Sequence, residues 1–592
     1  MSIEKKWIEP SAGDTEKIDN LAASLGVDTT LARLLVQRGI YTFDDAKLFF
    51  RPQLENLHDP FLMKDMQNAV NRINQAIANN EHIMVYGDYD VDGTTAVALV
   101  YSFIHKIHEK ISYYIPDRHD EGYGISKKGI DHAKETGVKL IIALDCGIKA
   151  NDKIHYAKQL DIDFIICDHH LPGDDIPQAV AVLDSKRTDC EYPFKELSGC
   201  GVGFKLIQAL GKENNIPSEN IEKYLDLVAV SIAADIVPVI GENRILAFYG
   251  LKRLNENPRK GLLAIIKSSG LENHQITIDD VVFKIGPRIN AAGRMEQGSN
   301  AVKLLVADDN ESAIEQAEDI NLMNNERKNV DREITLKAIE MVKSEDKSKK
   351  ATVVYNPDWH KGVVGIVASR LIESFYRPTI VLTKSNGLIS GSARSIPGFD
   401  LHQAVEACSD LLETFGGHTY AAGLTMKEEN LEEFKSRFEE YVAKNIDEST
   451  MIPQVIIDAN LDFEQITPKF FRILKQFQPF GPGNMSPVFH TQNVYDYGNS
   501  RKVGQSNKSQ KDESKKDESK KDEPKHIKLD IIQENSSRSF HGIAFNLAEH
   551  FDFIKNGDPF DICYSIAENY YQGVANIQLR VKDIKCKKIE FL

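Results

Sequence analysis

Between residues 65 and 240 short apolar runs alternate with stretches of helical periodicity, and few folds accommodate that alternation. Ile83–Tyr86, Ser112–Ile115, Leu140–Leu144, Phe164–Cys167 and Ala179–Leu183 read as strands. Ala69–Ala78, Thr94–His108, Lys127–Glu135, Asn151–Leu160 and Val202–Leu210 read as helices. Strand, helix, strand at this spacing predicts a mostly parallel α/β sheet. Ligands of such sheets bind beyond the carboxyl ends of the strands. Those ends carry the most unusual residues of the chain.

Tyr86-Gly87-Asp88-Tyr89-Asp90-Val91-Asp92-Gly93 places three acids within five residues at the end of the first run. Asp145 closes the Leu140–Leu144 run, and Asp168-His169-His170 follows Phe164–Cys167. Asp235 follows the apolar stretch Leu227–Ala234. A lone aspartate at a strand end is most often a helix cap or turn former. Their joint occurrence with two histidines points to a metal site. Asp90, Asp92, Asp145, His169 and Asp235 are the candidate ligands, and Asp88, Asp168 and His170 stand next to them. His170 either joins the ligands or orients them from outside. Several carboxylates with one or two imidazoles suit Mn²⁺ or Mg²⁺ better than zinc. More than four candidate ligands suggests two ions, which together stabilise the attacking and leaving oxygens of a phosphoryl displacement. An EF-hand loop is excluded, because its twelfth position would be Leu99 rather than a glutamate.

The rest of the chain divides into further parts. Residues 1–60 read as short helices, including Leu21–Gly39 and Phe43–Phe50, ahead of an α/β domain at 61–300. Residues 301–345 hold one long polar helix, Asn310 to Ser344, without Gly or Pro. A second α/β pattern occupies 346–447, with strands Ala351–Tyr355 and Thr379–Leu382 and helices Val363–Ser374 and Leu431–Ala443. Residues 448–592 turn to strands and read as a small β-barrel. Within it, 505–525 repeats Asp-Glu-Ser-Lys-Lys and has nothing apolar to bury, so a disordered insertion is expected there.

These stretches resemble the DHH phosphoesterase family. The resemblance rests on Tyr-Gly-Asp-Tyr-Asp-Val-Asp-Gly (86–93), Leu-Asp-Cys-Gly-Ile (144–148), Asp-His-His (168–170) and Asp-Ile-Val-Pro (235–238). Gly286-Pro287-Arg288-Ile289-Asn290-Ala291-Ala292-Gly293-Arg294, Trp359-His360-Lys361-Gly362, Gly391-Ser392-Ala393-Arg394-Ser395, Gly416-Gly417-His418 and Phe480-Gly481-Pro482-Gly483-Asn484 are similar to its RecJ branch. The resemblance implies a single-strand-specific DNA exonuclease, working 5′ to 3′ and releasing 5′-mononucleotides with two Mn²⁺ or Mg²⁺ ions. It implies a DHH domain, a DHHA1 domain and an OB-fold barrel. It carries over Arg294, Ser392, Arg394, Gly416, Gly417 and His418 as a phosphate pocket, which Arg288 either joins or supports from behind. Guanidinium forks pair with phosphate oxygens, and glycines let backbone amides approach an anion. Single-stranded DNA is the implied partner, together with a single-strand-binding protein and a RecQ-type helicase in recombination and mismatch repair. A monomer is expected.

Net charge is −16, which does not exclude DNA, because metal ions turn an acidic cluster into a cation-rich site. Seven cysteines without a CxxC pair predict reduced thiols and a cytoplasmic protein. No signal peptide and no membrane span are expected. Gly199-Cys200-Gly201-Val202-Gly203 imitates a nucleotide loop, but no GxxxxGK[ST] occurs. Cys146 and Cys167 read as buried strand-end residues rather than nucleophiles.

Overall fold

The apolar runs of the first α/β segment form five parallel strands: β1 (His82–Gly87), β2 (Ile111–Tyr114), β3 (Val138–Leu144), β4 (Asp163–Cys167) and β5 (Ala181–Leu183). The computed structural model describes residues 3–9, 13–118, 120–346, 348–504, 524–571 and 574–586. Two compact units emerge, one of Arg51–Glu333 with Pro479–Met485, the other of Met1–Phe50, Ile334–Gln478 and Ser486–Leu592.

In the first unit the strand order is β2-β1-β3-β4-β5. Residues alternate between the two faces of each strand, and both faces are covered. Ile83, Val85, Leu140, Ile142 and Leu144 pack with the helices Val91–Ile104, Gly199–Glu213 and Leu225–Ala234. Met84, Tyr86, Ile141, Ala143 and Ile166 pack with Lys127–Glu135 and Asn151–Gln159. Burial on both faces is why these strands read as unbroken apolar runs. The chain leaves β1 toward β2 on one side and returns to β3 on the other. Such a reversal, here at the ends of β1 and β3, is where α/β sheets place a ligand-binding crevice.

The register does the decisive positioning. Gly87 pairs with Leu144, Leu144 with Cys167, and Cys167 with Leu183. The residues one step further, Asp88, Asp145, Asp168 and Asp184, therefore stand in a row across four strands. The ladder continues through two of them, as Asp145 N–H donates to Cys167 O at 2.9 Å and Asp168 N–H to Leu183 O at 3.0 Å.

The second unit holds a mixed sheet and a barrel. The sheet strands are β6 (Thr352–Tyr355), β7 (Thr379–Ser385), β8 (Leu388–Arg394), β9 (Thr414–His418) and β10 (Ala421–Met426), in the order β9-β10-β8-β7-β6. Only β6 and β7 run parallel. The barrel strands are β11 (Phe489–Asp496), β12 (Arg501–Val503), β13 (His526–Gln533), β14 (Ser539–Ala544), β15 (Phe560–Tyr571) and β16 (Val574–Cys586). Pairings run β11–β13–β14–β16–β15 and back to β11, closing a circuit of five strands, and β12 adds to β13. Val503 of β12 pairs with His526 of β13. Apart from its last residues, the charged insertion read at 505–525 lies outside the described residues.

Two expectations for the N-terminal region change. Lys6–Ile8 is a strand, parallel to Gln454–Ile456. The helical periodicity of Leu21–Gly39 is interrupted by Gly26 in a left-handed conformation (φ +63°), leaving helices Thr15–Leu25 and Thr29–Val36. The helix Asn310–Ser344 is continuous over 35 residues. No helix among the described residues is long and apolar enough to cross a membrane.

Candidate metal centre

His169 is the hub of a cluster of acids from strand and helix ends. Its Nε2 lies 3.2 Å from Asp145 Oδ1, 3.6 Å from Asp235 Oδ2 and 3.7 Å from Asp92 Oδ2. Potential ligand atoms of Asp92, His169 and Asp235 lie within 4.8 Å of one another, as do those of Asp145, His169 and His170. Asp145 reaches the hub from a left-handed backbone (φ +57°), and Ile236 beside Asp235 is left-handed too (φ +59°). Such conformations are costly for residues with a Cβ and gather at functional sites.

Each acid is held differently. Asp90 caps the Val91–Ile104 helix, accepting from Gly93 N–H at 3.0 Å. Asp92 accepts from the amides of Gly199 and Cys200 and from the Ser231 hydroxyl, all at 2.7 Å. The glycine-rich stretch at 199–203 is thus the first turn of a helix whose amides grip a carboxylate. Gly199 also has no room for a side chain, since a Cβ there would lie 2.6 Å from that of Asp145. Asp168 is saturated. Its Oδ1 accepts from the His169 and His170 amides at 2.7 and 3.1 Å, and its Oδ2 from Ile148 N–H at 2.9 Å. The same Oδ1 is 2.7 Å from His170 Nδ1. Burial opposes the charge on both partners, yet their bond holds Asp168 at about 2 and raises His170 to about 9. His170 Nε2 is left 3.2 Å from the Tyr123 hydroxyl.

The other carboxyls are crowded. Burial, then the neighbouring acids, push Asp88, Asp90 and Asp145 up and bring Asp235 to about 8. Burial lowers His169 and so favours the neutral imidazole that a metal requires. Asp88 Oδ2, Asp145 Oδ1 and His169 Nδ1 are buried without a hydrogen-bond partner. Mutually repelling carboxylates with orphaned oxygens fit a divalent cation, and the oxygen-rich donor set fits Mn²⁺ or Mg²⁺.

Similarity to known proteins extends along most of the chain. Residues 82–232 match the DHH family, N-terminal domain; 348–444 match the DHHA1 domain; 457–583 match the RecJ OB domain. The single-stranded-DNA-specific exonuclease RecJ of Bacillus subtilis (strain 168) is 38% identical over 98% of this chain and 71% of its own length. The enzyme of the same name from Escherichia coli (strain K12) is 30% identical over 98% and 99%. The chain belongs to the RecJ family. The crystal structure of RecJ in complex with Mn²⁺ from Thermus thermophilus superposes with a TM-score of 0.81 at 26% identity, covering 98% of this chain and 80% of that one. A Mg²⁺ complex of the same protein gives 0.76 at 25%, with 98% and 79% covered.

The remaining residues suggested by the RecJ resemblance fall in two places. In the DHHA1 domain, register aligns Ser392 with Gly423 and Gly416, and Arg394 with Ala421 and His418. Arg394 Nη1 donates to Ser392 Oγ at 2.9 Å. A Cβ on Gly365, at the start of the Val364–Phe375 helix, would lie 3.0 Å from both Arg394 Nη2 and Ser392 Oγ. Gly417 has φ +151°, and a Cβ there would meet Ala421 O at 2.2 Å. In the DHH-bearing unit, Arg294 acts on the phenol of Tyr89, which burial pushes up to about 12 and Arg118 and Arg294 draw down. Arg288 is occupied structurally, donating to Lys284 O at 2.7 Å, Asn321 Oδ1 at 3.1 Å and Ser268 O at 3.4 Å. Burial and nearby acids push the Cys146 and Cys167 thiols up, as inert residues require.

Four participants are not evident from local sequence patterns. Ser231 and the amides of Gly199 and Cys200 hold Asp92 from a distant part of the chain. Asp184, the fourth acid of the row, is fully buried with Oδ2 unpartnered. Its signal was present: Val182-Leu183-Asp184 repeats the pattern of an apolar run ending in aspartate.

Proposed function

We propose that this protein is a metal-dependent exonuclease that degrades single-stranded DNA from its 5′ end and releases 5′-mononucleotides, in DNA recombination and repair. The observation that carries this is the convergence on His169 of Asp145 from a strand end and of Asp92 and Asp235 from helix ends, in a chain of the RecJ family. Two Mn²⁺ or Mg²⁺ ions, when bound, stabilise the attacking and leaving oxygens of an in-line displacement at phosphorus. We assign Asp90, Asp92, Asp145, His169 and Asp235 to hold them, with Asp88 at the edge of the set. Asp168 fixes the imidazole of His170 through Nδ1 and, in the metal-free protein, raises it to about 9. His170 thereby offers an Nε2 proton to negative charge developing on the phosphoryl group. Arg294 neutralises charge on that group. Ser392, Arg394, Gly416, Gly417 and His418 bind a phosphate of the strand through side-chain and backbone donors. On this reading the strand comes from a single-strand-binding protein or a RecQ-type helicase, and the enzyme works as a cytoplasmic monomer.

The test is a nuclease assay on 5′-labelled and 3′-labelled single strands, with Mn²⁺ or EDTA, beside a blunt duplex. Early release of labelled mononucleotide only from the 5′ label, dependent on metal and absent on duplex, is the expected result. No release from any single strand, with Mn²⁺ bound to the protein, would overturn the proposal.

A further inference from the structure

Seven residues in this chain keep different company from their neighbours. Pro479–Met485 cluster with the DHH-bearing unit, although the chain on either side of them belongs to the other unit. They form a self-closed loop. Gly481 N–H donates to Asn484 O at 3.0 Å and Asn484 N–H to Gly481 O at 2.9 Å. The Asn484 amide donates to Pro479 O at 2.8 Å, and Asn484 is only 2% exposed.

The loop docks on the segment that follows Asp235. Val239 N–H donates to Pro482 O at 2.7 Å, and Arg244 Nη1 to Pro479 O at 3.3 Å. The fit admits no side chain at Gly481, because a Cβ there would lie 2.4 Å from Val239 Cγ2. Val239 is fully buried, and a β-branched side chain has little rotamer freedom with which to yield. Gly483 is left-handed (φ +74°), and a Cβ there would lie 2.9 Å from Ile240 Cγ2. Only Ile236, Val237 and Pro238 separate the clamped Val239 from Asp235. Pro238 has a fixed φ, and its carbonyl is held by Asn243 Nδ2 at 3.0 Å. Ile236 is left-handed without being glycine, a conformation that persists only when its surroundings impose it.

We propose that the Pro479–Met485 loop is a positioning element for the metal centre. By holding Val239 it fixes the strained turn at Ile236 and so sets the Asp235 carboxylate opposite His169 and Asp92. Part of the metal site is thereby built by a loop nearly 250 residues downstream in the sequence. The proposal rests on Asp235 being a ligand.

The experiment measures Mn²⁺ binding to the full chain by titration calorimetry and by electron paramagnetic resonance, alongside thermal melting without metal. Four variants are compared: Asp235→Asn, Gly481→Ala, Val239→Ala and the double variant Gly481→Ala/Val239→Ala. Loss of a residue that orients a ligand typically weakens metal binding about 10–100-fold, so Gly481→Ala is expected to weaken it by about tenfold or more. Removing the Val239 methyls removes the 2.4 Å clash and leaves a 3.2 Å contact with its Cβ that a shift of a few tenths of an ångström relieves, so the double variant should bind within about threefold of wild type. Wild-type affinity in Gly481→Ala overturns the proposal, as does a folded double variant with no recovery. If Gly481→Ala does not fold, Asn484→Ala, which opens the loop without adding an atom, takes its place under the same criterion. Unchanged Mn²⁺ binding in Asp235→Asn would instead overturn the assignment of Asp235 as a ligand, a separate result.

Discussion

Asp235→Asn should stabilise the metal-free protein while destroying its metal site. The carboxyl of Asp235 rises from the ordinary 3.8 to about 8, first through burial and then through repulsion by Asp92 and Asp90. At about 1.4 kcal/mol per pH unit this corresponds to roughly 6 kcal/mol. The side chain is 29% exposed and lies among other acids whose charges titrate with it, so solvent screening and that interdependence leave about 2–3 kcal/mol. The protonated form is the one the fold favours. Its stabilising contribution is full below about pH 4 and is lost as pH rises through about 8. Calorimetry in EDTA should therefore show the transition of the DHH-bearing unit falling in temperature between pH 5 and pH 9. Asp235→Asn should fall less and melt about 4–10 °C above wild type at pH 9. Mn²⁺ should raise the wild-type transition and leave that of the variant almost unmoved. A metal-free variant that melts at or below wild type at pH 9 would refute the argument from crowding.

Further substitutions test other parts of the site. Gly199→Ala drives a Cβ to within 2.6 Å of the Asp145 Cβ and 2.8 Å of its Oδ1. It should cost about 1–3 kcal/mol of stability by overpacking, read by denaturant unfolding, and at least tenfold in Mn²⁺ affinity. Asp168→Asn removes the charge that holds His170 protonated. The imidazole should titrate well below its present value of about 9, visible by NMR, with activity reduced about 10–100-fold. Arg394→Ala should raise KM for single-stranded DNA at least tenfold while leaving Mn²⁺ affinity unchanged; an unaltered KM would remove Arg394 from the phosphate-binding set.

The parallel sheet is legible because strands buried on both faces read as apolar runs, and β1, β3 and β4 are each followed at once by an aspartate. The register that aligns Asp88, Asp145, Asp168 and Asp184 is a property of pairing between strands, and no single run displays it. Asp184 directly follows the Ala179–Leu183 run, and its place in the row shows only once that register is known. The role of Gly199 was hidden because its neighbour in space is Asp145, and glycine spacing alone suggested a nucleotide loop. The short strand Lys6–Ile8 escaped because its partner Gln454–Ile456 lies across most of the chain, and three residues carry no periodicity. Likewise, nothing in Phe480-Gly481-Pro482-Gly483-Asn484 itself reveals that it packs against Val239. Local patterns record what a segment buries, whereas the partner that buries it is set by topology.

The pairing of Val503 with His526 has a consequence for how this chain can vary. Two chain ends brought together by a strand ladder accept a connection of almost any length. Closure entropy grows only logarithmically, about 0.6 kcal/mol for each doubling of a flexible span. The β12–β13 hairpin is therefore a port in the barrel, at which sequence can be gained, shortened or exchanged at little thermodynamic cost. A reporter or affinity module grafted there would leave the five-strand circuit closed.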